Sequence, residues 1–137
     1  MIGAFFDWLR RLGRGRDLKS GQRGEDLAHR YLKRRGFIIV ARNYRPISSR
    51  AEVDLIARDG DALVFVEVKS RVTDEYGEPE RAIGEAKRRN LLRAAREYAR
   101  KTNTPWEQVR FDVVTVILQD PPTIRWYPGW LATSRRT

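Results

Sequence analysis

The chain has 137 residues, of which 41% are hydrophobic and 34% are charged, and its formal net charge is +10. Cysteine is absent, which excludes disulfides, thiol catalysis and thiolate metal sites. A single histidine argues against a zinc site or a histidine-centred triad. No apolar run approaches the roughly 20 residues that a membrane span needs. We therefore expect a cytoplasmic protein without membrane contact, and nucleoid association is left open.

The positive charge is concentrated in two parts of the chain. Residues 1–50 contain 13 Lys and Arg against 4 Asp and Glu, a net charge of +9. Residues 87–101 contain seven basic residues and one acid. A nucleic acid is the partner that this distribution indicates first.

Residues 1–18 are predicted to form a basic amphipathic leader, separate from a single domain over residues 19–137. Phe5, Trp8 and Leu12 recur at helical spacing among several arginines. Two interpretations stay open. The leader either packs on the domain or frays in solvent, or it binds a membrane surface or a partner protein.

The domain is predicted to contain a helix, three strands, a second helix and two strands. Gly36 is expected to end the first helix, and Asp59-Gly60-Asp61 is a strong hairpin signal. The predicted ranges are a helix over 21–35, a buried strand over 37–40, a loop over 43–50, strands over 52–58 and 62–71, a helix over 81–101, and strands over 110–118 and 123–127.

The hairpin is predicted to bring two acids and a lysine together. Glu67 and Lys69 share one face of its second strand, and a turn near residue 60 places Asp54 within one residue of the position opposite Glu67. Buried carboxylates are costly unless they are paired or bind a metal. Asp54 and Glu67 are therefore candidate ligands of Mg²⁺ or Mn²⁺, and Lys69 is a candidate to orient an attacking water. The plainer interpretation is a buried Glu–Lys pair with Asp54 as a bystander.

Glu25 is a candidate third metal ligand. It lies at the edge of the apolar stripe of the first helix, from which it could reach the same patch of sheet. The alternative is an ordinary first-turn glutamate that is stabilised by the helix dipole.

Basic residues in two regions are candidate nucleic-acid contacts. Four arginines at spacing i, i+4, i+7 and i+11 form one stripe on the second helix, namely Arg89, Arg93, Arg96 and Arg100. Three more surround the loop before the Asp54 strand, namely Arg42, Arg45 and Arg50. Lys87 is a further candidate, although its position predicts a side chain that points toward the sheet. The alternative for the stripe is a solvated face of a basic protein.

Taken together, these motifs resemble the YraN-like family of bacterial proteins, which is similar to the Holliday-junction resolvases and the PD-(D/E)xK nucleases. The resemblance covers about residues 20–118. The positions that carry it are Gly24-Glu25, Ala28, Tyr31-Leu32, Gly36, Asn43, Glu52-Val53-Asp54-Leu55-Ile56, Val64-Phe65-Val66-Glu67-Val68-Lys69, Arg71, Lys87 and Asp112. Ala51 departs from the family pattern, which usually has glycine there. Asp112 is interpreted first as a structural partner of Arg110.

The resemblance implies an α/β fold with a restriction-endonuclease-like mixed sheet flanked by helices. Asp54, Glu67 and Lys69 match the nuclease signature, and Glu25 matches an acid on the first helix of resolvase-like members. The implied activity is Mg²⁺- or Mn²⁺-dependent cleavage of branched or structured DNA, as in repair or recombination. Symmetric junctions suggest a homodimer by analogy with the resolvases. The alternatives are a non-catalytic nucleic-acid-binding module on this scaffold and a partner-binding protein that uses residues 1–18.

Overall fold

Two helices and five strands make up most of the described part of the chain. The structure, a computed structural model, describes residues 21–47, 51–72 and 85–131. The elements are helix α1 over residues 21–34, strands β1 (Ile38–Tyr44), β2 (Val53–Asp59) and β3 (Ala62–Arg71), helix α2 (Glu85–Lys101), a short 3-10 helix (Trp106–Gln108), and strands β4 (Val109–Ile117) and β5 (Thr123–Tyr127).

Some of the predicted features lie outside the described ranges. They are the leader over residues 1–18, Arg50 and the start of the second helix at residues 81–84. Within the described ranges, no helix is long and apolar enough to cross a membrane.

The five strands form one mixed sheet in the order in which they occur in the chain. β3 and β4 are parallel, and the other neighbouring strands are antiparallel. A parallel pair needs a crossover connection, and α2 lies in the segment between β3 and β4. The predicted α/β class, with a mixed sheet flanked by helices, is confirmed.

Each helix covers one face of the sheet. α1 packs Ala28 and Leu32 into a core with Leu55, Val64 and Val66. α2 packs its own apolar side into a second core, whose members include Val53, Ile56, Phe65, Leu91, Ala94, Ala95, Ala99 and Phe111. β3 contributes to both cores, which explains why its first half is continuously apolar rather than alternating.

Gly36 ends α1, as its sequence predicts. Its φ is +97°, a conformation that costs glycine little. The N–H of Gly36 donates to the carbonyl of Lys33, and the N–H of Phe37 donates to the carbonyl of Leu32, both at 3.0 Å. This pair of bonds is the Schellman motif. It turns the chain so that Phe37 is buried, with its ring in a T-shaped contact with Trp126.

The prediction of a short, buried first strand is wrong in two respects. β1 continues to Tyr44, through residues that were predicted to start a loop. It also lies at the edge of the sheet, where Ile38 is 65% and Val40 is 43% exposed. Of the apolar run 37–40, Phe37 is buried in the core and Ile39 packs against it only partly buried, so the run does not indicate a central strand.

Candidate active site

The predicted β2–β3 hairpin forms, and its register brings Asp54 next to Glu67. The strands pair from Asp59–Ala62 at the turn to Leu55–Val66, where the backbone ladder ends. The next positions on the two strands are Asp54 and Glu67. The prediction that Asp54 lies within one residue of the position opposite Glu67 is therefore confirmed.

β2 changes its pattern at Asp54. Val53 and Ile56 pack in the core under α2, whereas Leu55 packs in the core under α1. Strict alternation would place Val53 and Leu55 on the same face. Strict alternation along β2, which would place Asp54 and Ile56 on one face, therefore does not hold through this position. Instead, Oδ2 of Asp54 accepts a 2.8 Å hydrogen bond from the N–H of Val68.

Glu67 is buried, with 8% of its surface exposed, and two ammonium groups lie beside its Oε2. Nζ of Lys69 is 3.0 Å away, and Nζ of Lys87 reaches it from α2 at 3.7 Å. The prediction that Lys87 points toward the sheet is confirmed. Burial alone would raise the pKa of Glu67, but the charges of the two lysines outweigh burial and lower it. Glu67 is therefore held as a carboxylate.

Lys69 is 1% exposed, so its ammonium group has lost nearly all contact with bulk water. This burial lowers the pKa of Lys69, and the neighbouring charge of Glu67 opposes the change.

The pKa of Asp54 shifts in the opposite direction from that of Glu67. Burial and then the charge of Glu67 hold its pKa well above the usual range, against the hydrogen bond from Val68. Two acids that repel each other in this way are typical of functional sites.

The donor set of Asp54 and Glu67 fits a hard divalent cation. Oδ1 of Asp54 and Oε1 of Glu67 accept no hydrogen bond from the residues that the structure describes. Mg²⁺ is commonly bound through one or two carboxylates, with waters and substrate phosphates completing its shell. Within residues 21–47, 51–72 and 85–131, no group of three or more acidic or histidine side chains is arranged to hold a metal ion. The site therefore offers two carboxylates.

Glu25 lies on α1, where an ion pair with β1 holds its carboxylate. Nη2 of Arg42 is 3.4 Å from Oε1 of Glu25 and 2.9 Å from Oδ1 of Asp26. The charge of Glu25 nevertheless contributes to the raised pKa of Asp54. Its role as an auxiliary metal ligand stays a prediction, as does the role of Arg42 as a phosphate contact.

Gly24 lets α1 approach the end of β3 closely. A Cβ at this position would overlap Oγ of Ser70 and come within 2.9 Å of its Cβ. Any larger residue would force either α1 or the Ser70 side chain at the end of β3 to shift. Gly24 therefore belongs to the structure of the site, although it carries no chemistry.

The remaining predicted phosphate contacts lie on the surface. The four arginines of the α2 stripe line one groove of about 240 Å³, together with Leu92. Arg45 forms an exposed ion pair of 3.1 Å with Glu52. Arg50 lies outside the described ranges.

Asp112 has the structural role that its sequence context predicts. It is fully buried and accepts two hydrogen bonds from Arg110, at 2.9 and 2.8 Å. The indole N–H of Trp126 and the backbone N–H of Gly129 also donate to it, at 2.9 and 3.0 Å. Asp112 thus ties β4 to β5 and to the turn after β5.

Two residues that neighbour Lys69 and Glu67 were not identified from the sequence. Thr115 lies directly beside Lys69 in the parallel β3–β4 register and is 1% exposed. Its hydroxyl has no hydrogen-bond partner among the described residues. Trp130 and Glu67 line the same gap in the packing, which is too small to admit a water molecule. A lone threonine in an apolar strand is the one available signal for Thr115, and it becomes informative once the strand pairing is known.

Comparison with known proteins supports the resemblance to the YraN-like family. The model of the uncharacterised protein family UPF0102 matches residues 24–116. A UPF0102 protein of Solibacter usitatus is 48% identical over 130 residues, which are 94% of this chain and 98% of that protein. One of Koribacter versatilis is 45% identical over 106 residues, covering 76% and 72%. One of Rhodococcus opacus is 46% identical over 106 residues, covering 77% and 88%.

Proposed function

This chain belongs to the UPF0102 family, whose YraN-like pattern its sequence carries, and we propose that it is a metal-dependent endonuclease acting on DNA. The observation that carries the proposal is the meeting of Asp54, Glu67 and Lys69 where the β2–β3 ladder ends. The raised pKa of Asp54 supports it further, because a carboxylate beside a second carboxylate is stabilised by a bound cation. Branched or structured DNA is the substrate that the resemblance implies.

Asp54 and Glu67 would hold Mg²⁺ or Mn²⁺, each with the oxygen that accepts no hydrogen bond from the described residues. Such an ion supplies a bound water of lowered pKa and polarises the phosphodiester. The hydrogen bond from Val68 fixes the carboxylate of Asp54 in place. Lys87 contributes by keeping Glu67 ionised.

Lys69 would act on the water and on the phosphate. Its ammonium is held 3.0 Å from Glu67, so its position relative to the proposed metal ligands is fixed. A cation fixed at this place can orient the attacking water and offset the negative charge that develops on the phosphorus oxygens.

One observation favours a second candidate, a non-catalytic nucleic-acid-binding module. Glu67 already has two cationic partners, so Glu67, Lys69 and Lys87 also make a self-satisfied buried ion cluster. Such a cluster can persist for structural specificity alone. It leaves Asp54 unexplained, however, because a buried acid that has a raised pKa and forms no ion pair with a described residue is a stability cost.

The experiment that separates these functions is a cleavage panel. A labelled four-way junction, a flap, a single strand and a plain duplex are each incubated with the full chain in Mg²⁺, in Mn²⁺ and in EDTA. The endonuclease predicts metal-dependent cutting, and the order of substrates identifies its class. Binding to these substrates without cutting in either metal contradicts the endonuclease and supports the binding module.

A further inference from the structure

The arginine groove on α2 is a second charged feature of the molecule, on a different part of the surface from the buried carboxylates. Its volume is about 240 Å³, and the residues that line it are Arg89, Leu92, Arg93, Arg96 and Arg100. All four arginines are exposed. The apolar side of the same helix is buried in the core at Leu91, Ala94, Ala95 and Ala99, so the groove lies on the outer side.

The charges in this groove are largely uncompensated. Among the described residues, Arg93, Arg96 and Arg100 have no acidic side chain within 4.0 Å, and Arg89 has Glu85 at 4.0 Å. The acid that occurs within the stripe, Glu97, instead accepts hydrogen bonds from the hydroxyl of Tyr44 and the N–H of Ile47. The helix therefore turns its internal acid away from the groove.

One of the four guanidinium groups is already held in place. The Arg96 guanidinium lies over the Trp106 ring, 5.0 Å from its centroid. Stacking on an aromatic ring restricts the side chain while it leaves the N–H groups able to donate. This arrangement lowers the entropy that Arg96 would lose on binding an anion.

The length of the stripe suits a polyanion. Arg89 and Arg100 are eleven positions apart on α2, which is about 16.5 Å at a rise of about 1.5 Å per residue. One strand of DNA carries a phosphate for about every 3.4 Å of its axis, so about five phosphates span this distance. Arginine binds phosphate through two parallel N–H groups.

We propose that this groove binds the phosphodiester backbone of a nucleic acid. A lipid surface is a poorer fit, because a helix that lies on a membrane needs an apolar face for the lipid, and on α2 that face is in the core. The inference goes beyond the proposed function, since binding in the groove needs neither the carboxylates nor a metal ion.

The test is fluorescence anisotropy of a labelled 20-base-pair duplex with the full chain, in EDTA and at several salt concentrations. The variant is Arg93→Ala/Arg100→Ala. The matched control is Arg23→Ala/Arg30→Ala, which removes two exposed arginines at the same spacing from α1, on the opposite face of the sheet. Circular dichroism is used to check that both variants are folded. Parallel measurements with single-stranded DNA, RNA of equal length and anionic phosphatidylserine vesicles identify the ligand.

We expect the groove variant to bind the duplex roughly tenfold more weakly or worse at 0.15 M salt, and its log–log salt slope to fall in magnitude by about 1.8. The control variant should change the slope by less than about 0.5. Equal losses in both variants would overturn the proposal, because they would show a general charge effect. A loss confined to the vesicles would also overturn it. Because no metal is present, neither result depends on whether the chain cleaves DNA.

Discussion

The N–H of Val68 donates a 2.8 Å hydrogen bond to Oδ2 of Asp54, in place of a backbone partner, where the β2–β3 ladder ends. This bond keeps the Asp54 carboxylate beside Glu67 although the two charges repel each other. The pKa of Asp54 is raised by burial first and by Glu67 second. Two carboxyl groups that repel each other therefore lie at the point where we place the metal ion.

Asp54→Asn should stabilise the metal-free protein. The folded-state pKa of Asp54 lies above its ordinary value of 3.8. When the pH lies between the ordinary pKa and the folded-state pKa, the unfolded chain has released a proton that the folded chain retains. The wild type therefore loses stability as the pH rises through this window, and asparagine removes the loss. Thermal unfolding in EDTA should show a Tm increase of roughly 2 °C or more at pH 8, and a smaller one at pH 5.

Added Mg²⁺ should reverse this difference. A ligand that binds the folded state alone raises Tm, and the effect requires Asp54 to be ionised. The charged groups that set this ionisation are Glu67 and Glu25, which oppose it, and Lys69, which favours it. The wild type should gain Tm with Mg²⁺ while Asp54→Asn should not. Equal gains in both proteins would show that the ion binds elsewhere.

Lys69→Met should destabilise the fold through Glu67. Removing one partner of a buried ion pair costs about 3 kcal/mol or more, because the other charge stays buried. Lys87 at 3.7 Å offsets part of this loss. Urea unfolding measures it, and Lys33→Met on the exposed side of α1 is the control.

The pairing itself is measured by a double-mutant cycle. The double variant Glu67→Gln/Lys69→Met should lose less free energy of unfolding than the two single variants lose in sum, by at least about 1 kcal/mol. The reason is that two residues of one buried pair are energetically coupled. Additive losses would show that Lys69 stabilises the fold through other contacts.

Gly24→Ala should destabilise the protein, although alanine is the better helix former by about 1 kcal/mol. The new Cβ would overlap Oγ of Ser70 and lie 2.9 Å from its Cβ, and forcing extra atoms into a packed site typically costs about 1–3 kcal/mol. Ser70→Gly removes both obstructing atoms, so the double variant should recover much of the loss. Gly21→Ala, which meets nothing within 4 Å, is the control. Destabilisation that Ser70→Gly does not relieve would contradict this explanation.

Asp112→Ala should lower the free energy of unfolding. Asp112 is not one of the proposed metal ligands, so this variant tests its structural role. It would leave the donors of Arg110, Trp126 and Gly129 without their acceptor, a loss of about 3 kcal/mol or more in urea unfolding. Asp61→Ala at the exposed tip of the hairpin should stay within about 0.5 kcal/mol of wild type. Similar small effects of both changes would contradict a structural role for Asp112.

The sequence predicts the hairpin well because local signals fix it. Asp59-Gly60-Asp61 sets the turn, and antiparallel pairing then determines which residues lie opposite each other. The position of Lys87 could also be predicted, because helical spacing relates it to the buried Leu91. These relationships depend on one element or on two that are joined by a short turn.

Features that depend on distant elements could not be predicted. β1 lies at the edge of the sheet, and the apolar residues of this strand do not reveal that position. The ion pairs of Arg42 with Glu25 and Asp26 join β1 to α1. Lys69 and Thr115 are neighbours because β3 and β4 pair in parallel, although α2 separates these two strands in the sequence. Spacing along the chain carries no information on such contacts.

The measurement that tests the central claim most directly is the initial rate of Mg²⁺-dependent cleavage of a labelled four-way junction. It compares wild type with Asp54→Asn and, as a matched loss of one carboxylate, with Asp61→Asn on the same hairpin. We expect Asp54→Asn to cleave at least about 100-fold more slowly while it still binds the junction, and Asp61→Asn to cleave within about twofold of wild type. Cleavage by Asp54→Asn at the wild-type rate, or cleavage that persists in EDTA, would contradict the assignment of the site.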